Sequence, residues 1–444
     1  MGLTEDIAVH LERSRCRTLA LLDPLSEDAL WRQHSPIMSP LVWDLAHIGN
    51  YEDLWLVRAL GEPGVGVDYD DLYDAFRHPR RERTSLPLLG PAAARAYLAD
   101  VRTRALDVLA RAAARLDAGD DALLAGGFVH GMVVQHEHQH DETMLATLQL
   151  MASPGYRPRS RPTPTGDGPP TTTEVVVPGG PFVMGTDTEP WAYDNERPAH
   201  VVDIAEFFID TTPVTNATYA AFVADGGYDE QRWWTEAGWA WRVEADLNAP
   251  MTWRRDDANA DASGPGATAG WWRDRFGWIE PLPADEPVQH VCWFEADACA
   301  RWLGRRLPTE AEWEKAASWD PAASTKRRYP WGDDDPTPAT ANLGQRHTGP
   351  AAIGAYPAGA SAAGCLGMIG DVWEWTSSGF DPYPGTVAFP YREYSEVFYG
   401  GDYKVLRGGS WAADPTAVRN TFRNWDHPIR RQIFVGFRTA RDAG

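Results

Sequence analysis

The chain has 444 residues, more than one hydrophobic core usually spans, so two domains are expected. It is 43% hydrophobic and 23% charged, the composition of an ordinary globular protein. Its 63 Asp and Glu residues against 41 Lys and Arg give a net charge of −22, a field that argues against nucleic acid and anionic membrane surfaces as partners. Four cysteines, Cys16, Cys292, Cys299 and Cys365, form no C-x-x-C pair and suit a reducing compartment. The opening residues MGLTEDIAVHLERSRCR contain no apolar stretch, so no signal peptide is expected. No run of 18 apolar residues predicts a bilayer span. A cytoplasmic protein is the expectation.

Four segments of the first third carry apolar residues at helical spacing: about 4–22, 38–60, 91–117 and 122–151. In the third, for example, Leu98, Val101, Leu106 and Leu109 fall on one face. Four such segments predict a four-helix bundle with a long connection between the second and third. Residues 152–173, ASPGYRPRSRPTPTGDGPPTTT, are rich in Pro, Gly, Ser and Thr and read as a linker. This divides the chain into a helical domain (1–151), a linker (152–173) and a second domain (174–444).

From Glu174 onward, short strand-like runs such as VVVPGGPFVMG and HVVDIAEFFID alternate with irregular stretches rich in Trp, Gly and Pro. Helices are expected at Asn216–Val223 and Trp293–Leu303. A third is expected from Thr309 through EAEWEKAAS, with Thr309 as N-cap and Glu312 completing a capping box. Most of the 21 tryptophans lie in this half, and buried indole N–H groups need acceptors, which suits a loop-rich core. The overall fold class is therefore α+β.

The fourth helical segment reads VVQHEHQHDETML. His136 and His140 are four residues apart and share a helix face, so two imidazoles can meet one ion. His138 lies about 200° from His136 around the helix and points elsewhere. The second segment, SPLVWDLAHIGNYEDLW, supplies His47 among apolar residues, and a bundle core lets separate helices aim ligands at one point. Taken singly, His47 reads equally as a hydrogen-bonded core residue, and an i, i+4 His pair is a weak metal signal. Together they define a candidate three-histidine centre with open coordination positions, as catalytic sites have. Imidazole suits Zn, Cu, Fe and Ni, so these ligands do not choose the metal.

This arrangement resembles the DinB-like helical bundle. The second half resembles the formylglycine-generating-enzyme type of C-type-lectin-related domain, through VPGGPFVMG (177–185), NERPAHVVDI (195–204), DEPVQHV (285–291), RLPTEAEWEKAA (306–317), YPWG (329–332), GDVWEWTSS (370–378) and VLRGGSW (405–411). The two in this order, with the tail FRNWDHPIRRQIF (422–434), resemble the ergothioneine-biosynthesis sulfoxide synthases. The resemblance implies an iron(II) enzyme that uses O2 to join the sulfur of γ-glutamylcysteine to the imidazole C2 of hercynine, giving a sulfoxide; a monomer is the expectation. It matches His47, His136 and His140 to the iron ligands and Tyr391, in FPYREYSE, to a catalytic tyrosine. Arg80 and Arg83, in HPRRERTSLPLL, with Asp426 and Arg430, match the γ-glutamylcysteine contacts. Gln139, Asn424 and Trp425 match those of hercynine.

These assignments make chemical sense. Three protein ligands leave three positions on an octahedral ion, for thiolate, imidazole and O2, and holding reactants together replaces a many-body encounter by a positioned reaction. A neutral phenol at Tyr391 can donate a proton or hydrogen bond; Tyr394, three residues on, is the neighbour most easily mistaken for it. Guanidinium forks match carboxylates, Asp426 suits an ammonium, and Trp425 can face a trimethylammonium group. The run RHPRRER (77–83) also reads as a solvated charge cluster, with Arg77 and Arg81 at the surface. A formylglycine-generating oxidase would need reactive cysteines late in the chain, and none follows Cys365. Free cysteine as thiol donor, a zinc thiol transferase and a non-catalytic binding module remain as rivals.

Overall fold

The structure, a computed structural model, describes residues 2–119, 121–151, 156, 164, 172–256 and 266–444. Most of the expected linker, and residues 257–265, lie outside the described residues. Packing divides the chain into two compact units: Met1–Arg157 with Glu189–Trp191, and Pro158–Thr188 with Ala192–Gly444.

In the first unit the helices are α1 (Leu3–Leu22), α2 (Glu27–Trp31), α3 (Leu41–Glu52), α4 (Pro91–Ala118) and α5 (Phe128–Gln149). α1 packs on α4 and α5, and α3 packs on the same two, which closes a four-helix bundle. Its core is filled by Leu45, Ile48, Leu98, Val101, Val133 and Leu145, all essentially buried. α4 starts with Pro91 at its first turn, where a missing N–H costs nothing, and stops at Gly119 in the left-handed conformation. The predicted segment 38–60 is helical, but it changes at Asp53–Arg58 into a π-helical turn before the long connection to α4. Gly131 on α5 is required by packing: a Cβ there would lie 2.2 Å from the Trp191 indole.

The second unit contains α6 (Asn216–Ala224), α7 (Glu236–Glu244), α8 (Trp293–Trp302) and α9 (Glu310–Ser318) among several small sheets. The capping box of α9 is as the sequence predicts: Thr309 Oγ1 accepts from Glu312 N at 3.1 Å, and Thr309 N donates to the Glu312 carboxylate at 2.7 Å. α7 is not anticipated by its sequence, EAGWAWRVE, where tryptophans obscure the helical period; Thr235 caps it through Gly238 N. A four-stranded sheet runs in the order Asn424–Asp426, Lys404–Arg407, Trp373–Gly379, Val435–Gly436. Around it Trp313, Trp375 and Trp411 are fully buried, and each indole N–H finds an acceptor: Glu374, Val291 O and Gln289. Among the described residues no helix is long and apolar enough to cross a membrane.

Candidate metal centre

α3 and α5 pack against each other, and this places His47 beside His136 and His140. The ring centroids are 5.1 Å apart for His47–His136, 4.7 Å for His47–His140 and 4.6 Å for His136–His140. One nitrogen from each ring lies within 4.8 Å of the other two. The helical spacing brings the α5 pair together as expected. It also sends His138 away, where its Nδ1 lies 3.2 Å from Asp141.

The surroundings decide which nitrogens face the centre. His47 Nδ1 is 2.8 Å from the carbonyl oxygen of Tyr73. A carbonyl only accepts, so Nδ1 carries the proton and Nε2 keeps its lone pair. His140 Nδ1 is 3.1 Å from Asp44 Oδ1, and the same logic leaves its Nε2 free for a metal. His136 is stacked on Tyr51 at 3.7 Å and 13°. His47 is stacked on Trp43 at 4.5 Å and 13°, and the Arg83 guanidinium covers the other ring of that stack, 3.5 Å from the Trp43 centroid. Burial, helped by the neighbouring imidazoles, holds His47 and His136 well below the usual histidine pKa. Both are therefore neutral near pH 7, the form that ligates metal. A part-buried set of three imidazoles, with His47 anchored by a carbonyl and His140 by a carboxylate, fits a divalent first-row metal.

Two contacts here were not legible in the sequence. Asp44 sits three residues before His47 but serves His140 on the other helix. Its other oxygen, Oδ2, is buried with no hydrogen bond among the described residues. A lone acid inside the apolar run LVWDLAHIG was the available signal. Tyr73 contributes only its main chain, which sequence does not reveal.

Arg83 is 4% exposed and donates from Nε to His78 O, from Nη1 to Ser39 Oγ and from Nη2 to Ala75 O. Burial lowers its pKa to about 10, opposed by the charge of Asp44. Arg80 is exposed and donates from Nη1 to Ile37 O. Arg77 and Arg81 lie at the surface, as expected. Gln139 is half-buried on α5.

In the second unit, Asn424, Trp425 and Asp426 form the edge strand of the four-stranded sheet, paired with Lys404–Leu406. Trp425 stacks on Phe380 at 4.0 Å, and Tyr394 meets it edge-on at 6.0 Å. Tyr391 meets Tyr394 edge-on at 6.2 Å. Arg430 Nε lies 3.6 Å from Asp426 Oδ1. Tyr391 is thus linked to Trp425 through the Tyr394 ring, and Asp426, the next residue of the strand, lies beside Arg430. Tyr394 is stacked on buried Tyr193 at 4.1 Å and belongs to its packing.

A DinB superfamily domain matches residues 10–144, and a sulfatase-modifying factor enzyme 1-like domain matches residues 160–443. The hercynine oxygenase of Mycobacterium tuberculosis is 52% identical over 448 residues, covering 100% of both chains. That of Mycolicibacterium smegmatis is also 52% identical, covering 99% of each. A formylglycine-generating enzyme of Streptomyces coelicolor is 34% identical over 328 residues, which is 66% of this chain and 96% of that protein. Fold and full-length similarity together make this chain an enzyme of the oxygenase class, built from a helical bundle and a sulfatase-modifying-factor-like domain. It belongs to the hercynine oxygenase family.

Proposed function

We propose that this chain is an iron(II)- and O2-dependent sulfoxide synthase of ergothioneine biosynthesis, joining the sulfur of γ-glutamylcysteine to C2 of the hercynine imidazole. The observation that carries the reading is the three-histidine cluster on α3 and α5, in a chain similar over its full length to hercynine oxygenases. The reaction balances as hercynine plus thiol plus O2 giving sulfoxide plus water: one C–H and one S–H bond are lost, C–S and S–O bonds form, and O2 takes up four electrons. His47, His136 and His140 would hold the iron, which supplies a redox centre where thiolate, imidazole and O2 react.

The chain's own residues then bind and orient. Arg80 offers an exposed guanidinium fork for a substrate carboxylate. Arg83 contributes positive charge and the N–H groups its three protein acceptors leave over. Arg430 completes the cationic set, and Asp426 takes the substrate ammonium. Asn424 and Gln139 hydrogen-bond hercynine, and Trp425 faces its trimethylammonium group. Tyr391, a neutral phenol, donates a proton during oxygen reduction. The enzyme works as a cytoplasmic monomer.

The test is a competition under one set of conditions. Protein stripped of metal is reloaded anaerobically with iron(II) or zinc(II), then given hercynine with equal γ-glutamylcysteine and cysteine. Sulfoxide formed only with iron, and mainly from γ-glutamylcysteine, supports the reading. Dominant cysteine product would overturn the thiol assignment. Activity with zinc would favour a thiol transferase.

A further inference from the structure

At the triad itself α3 and α5 are joined by a polar contact, Asp44 Oδ1 to His140 Nδ1 at 3.1 Å. Metal ligands must nonetheless be placed to within about 0.5 Å to bind well. A more extensive tie between the two helices lies away from the triad, in a buried charge cluster.

Each ligand helix carries a fully buried glutamate, Glu52 on α3 and Glu137 on α5, besides the buried Asp44 on α3 and Asp141 on α5. Glu52 follows His47 by five residues and Glu137 follows His136 by one, so on both helices the carboxylate leaves in a different direction from the imidazole. Two buried arginines from the other two helices join these glutamates. Arg15 of α1 donates from Nη2 to Glu52 at 2.6 Å and from Nε to Glu137 at 2.8 Å. Arg102 of α4 donates from Nε to Glu52 at 2.5 Å and from Nη2 to Glu137 at 3.1 Å. Ser14 and Thr18 supply further donors to Glu137, at 3.0 and 2.9 Å. Each guanidinium therefore spans both ligand helices.

A stabilising role does not account for this arrangement. Burying four charges costs desolvation that their mutual attraction only roughly returns, and apolar replacements of such clusters are often neutral or stabilising. What planar guanidinium forks do supply is fixed geometry. Two like-charged carboxylates repel, and they tolerate proximity only where both arginines bridge them, which admits one relative placement of α3 and α5.

We infer that Arg15, Glu52, Arg102 and Glu137 are positioning residues that set the spacing of His47 from His136 and His140 before any metal arrives. The inference rests on the triad being a metal site.

The test uses the full chain and Co(II), whose visible absorption reports ligand geometry without oxygen chemistry. The variant R15M/E52L/R102M/E137L replaces the cluster by apolar side chains. The expected result is a folded bundle, with circular dichroism and Tm near those of the parent, but Co(II) affinity at least tenfold weaker and an altered spectrum. Arg102→Lys keeps the charge and loses the fork, and it covers the case in which the fourfold variant does not fold. It should lose affinity severalfold at nearly unchanged Tm. Parental Co(II) affinity and spectrum in a folded variant of either kind would overturn the inference. Failure of the parent to bind Co(II), with His140→Ala behaving identically, would instead reject the triad itself.

Discussion

His140 Nδ1 lies 3.1 Å from Asp44 Oδ1, so a carboxylate on α3 selects the tautomer of an imidazole on α5. That contact engages Nδ1 and leaves Nε2 as the nitrogen available to a metal, beside the other two rings. Such outer contacts are typically worth 10–100-fold in metal affinity. Asp44→Ala should weaken Co(II) or iron(II) binding by about that factor. Asp44→Asn should do similarly although its shape is kept, because the amide NH2 can donate to Nδ1 and drive the proton onto Nε2. Equilibrium dialysis measures both, and unchanged affinity in both variants would remove Asp44 from the centre.

Apo stability should depend on the buried histidines in a defined direction. Burial lowers the pKa of His130 to about 4, and neither of its ring nitrogens has a partner among the described residues. The unfolded chain protonates this histidine near pH 6.5, the folded chain only near 4. Between those values the unfolded state binds more protons, so stability is present above 6.5 and is lost as the pH falls towards 4. His47 and His136 act in the same sense. His130→Leu should flatten the Tm profile of metal-stripped protein across this window, by on the order of 3 kcal/mol at its acid end. Parallel profiles for parent and variant would contradict the assignment.

Tyr391→Phe removes a hydroxyl without removing a metal ligand. The variant should retain iron at the parental stoichiometry and consume O2, while sulfoxide output falls at least tenfold and plain thiol oxidation rises. Product analysis by mass spectrometry checks this, and parental sulfoxide yield would remove Tyr391 from the mechanism. Tyr394→Phe, altering a ring packed on Tyr193, should leave the product ratio unchanged.

The cap of α9 gives a test confined to stability. Thr309→Ala removes the acceptor of Glu312 N and should cost about 1 kcal/mol, read as a lower denaturation midpoint with an unchanged slope.

The helical half was largely legible because amphipathic periods and an i, i+4 histidine pair are local signals. α1 and α4 begin and end within a residue of expectation. His138 could be set aside from helical geometry alone. The partners of the triad were not legible, since Asp44, Tyr51 and the Tyr73 carbonyl acquire their roles only when α3, α5 and the long connection pack. Arg83 shows the same limit: its run reads as surface charge, yet Trp43, Ser39 and two carbonyls take it into the interior. In the second half the capping box of α9 was visible in four residues. The four-stranded sheet was not, because its outer strands are two or three residues long and meet through contacts distant in sequence.

Oxygen uptake decides whether the three histidines hold a metal for thiol-dependent oxygenation of hercynine. Iron-loaded protein is followed with an oxygen electrode while hercynine and γ-glutamylcysteine are added singly and together, beside His140→Ala. Rapid uptake is expected only with both substrates, with one O2 consumed per sulfoxide formed, and none in His140→Ala. Uptake independent of hercynine, or undiminished in His140→Ala, would contradict this reading.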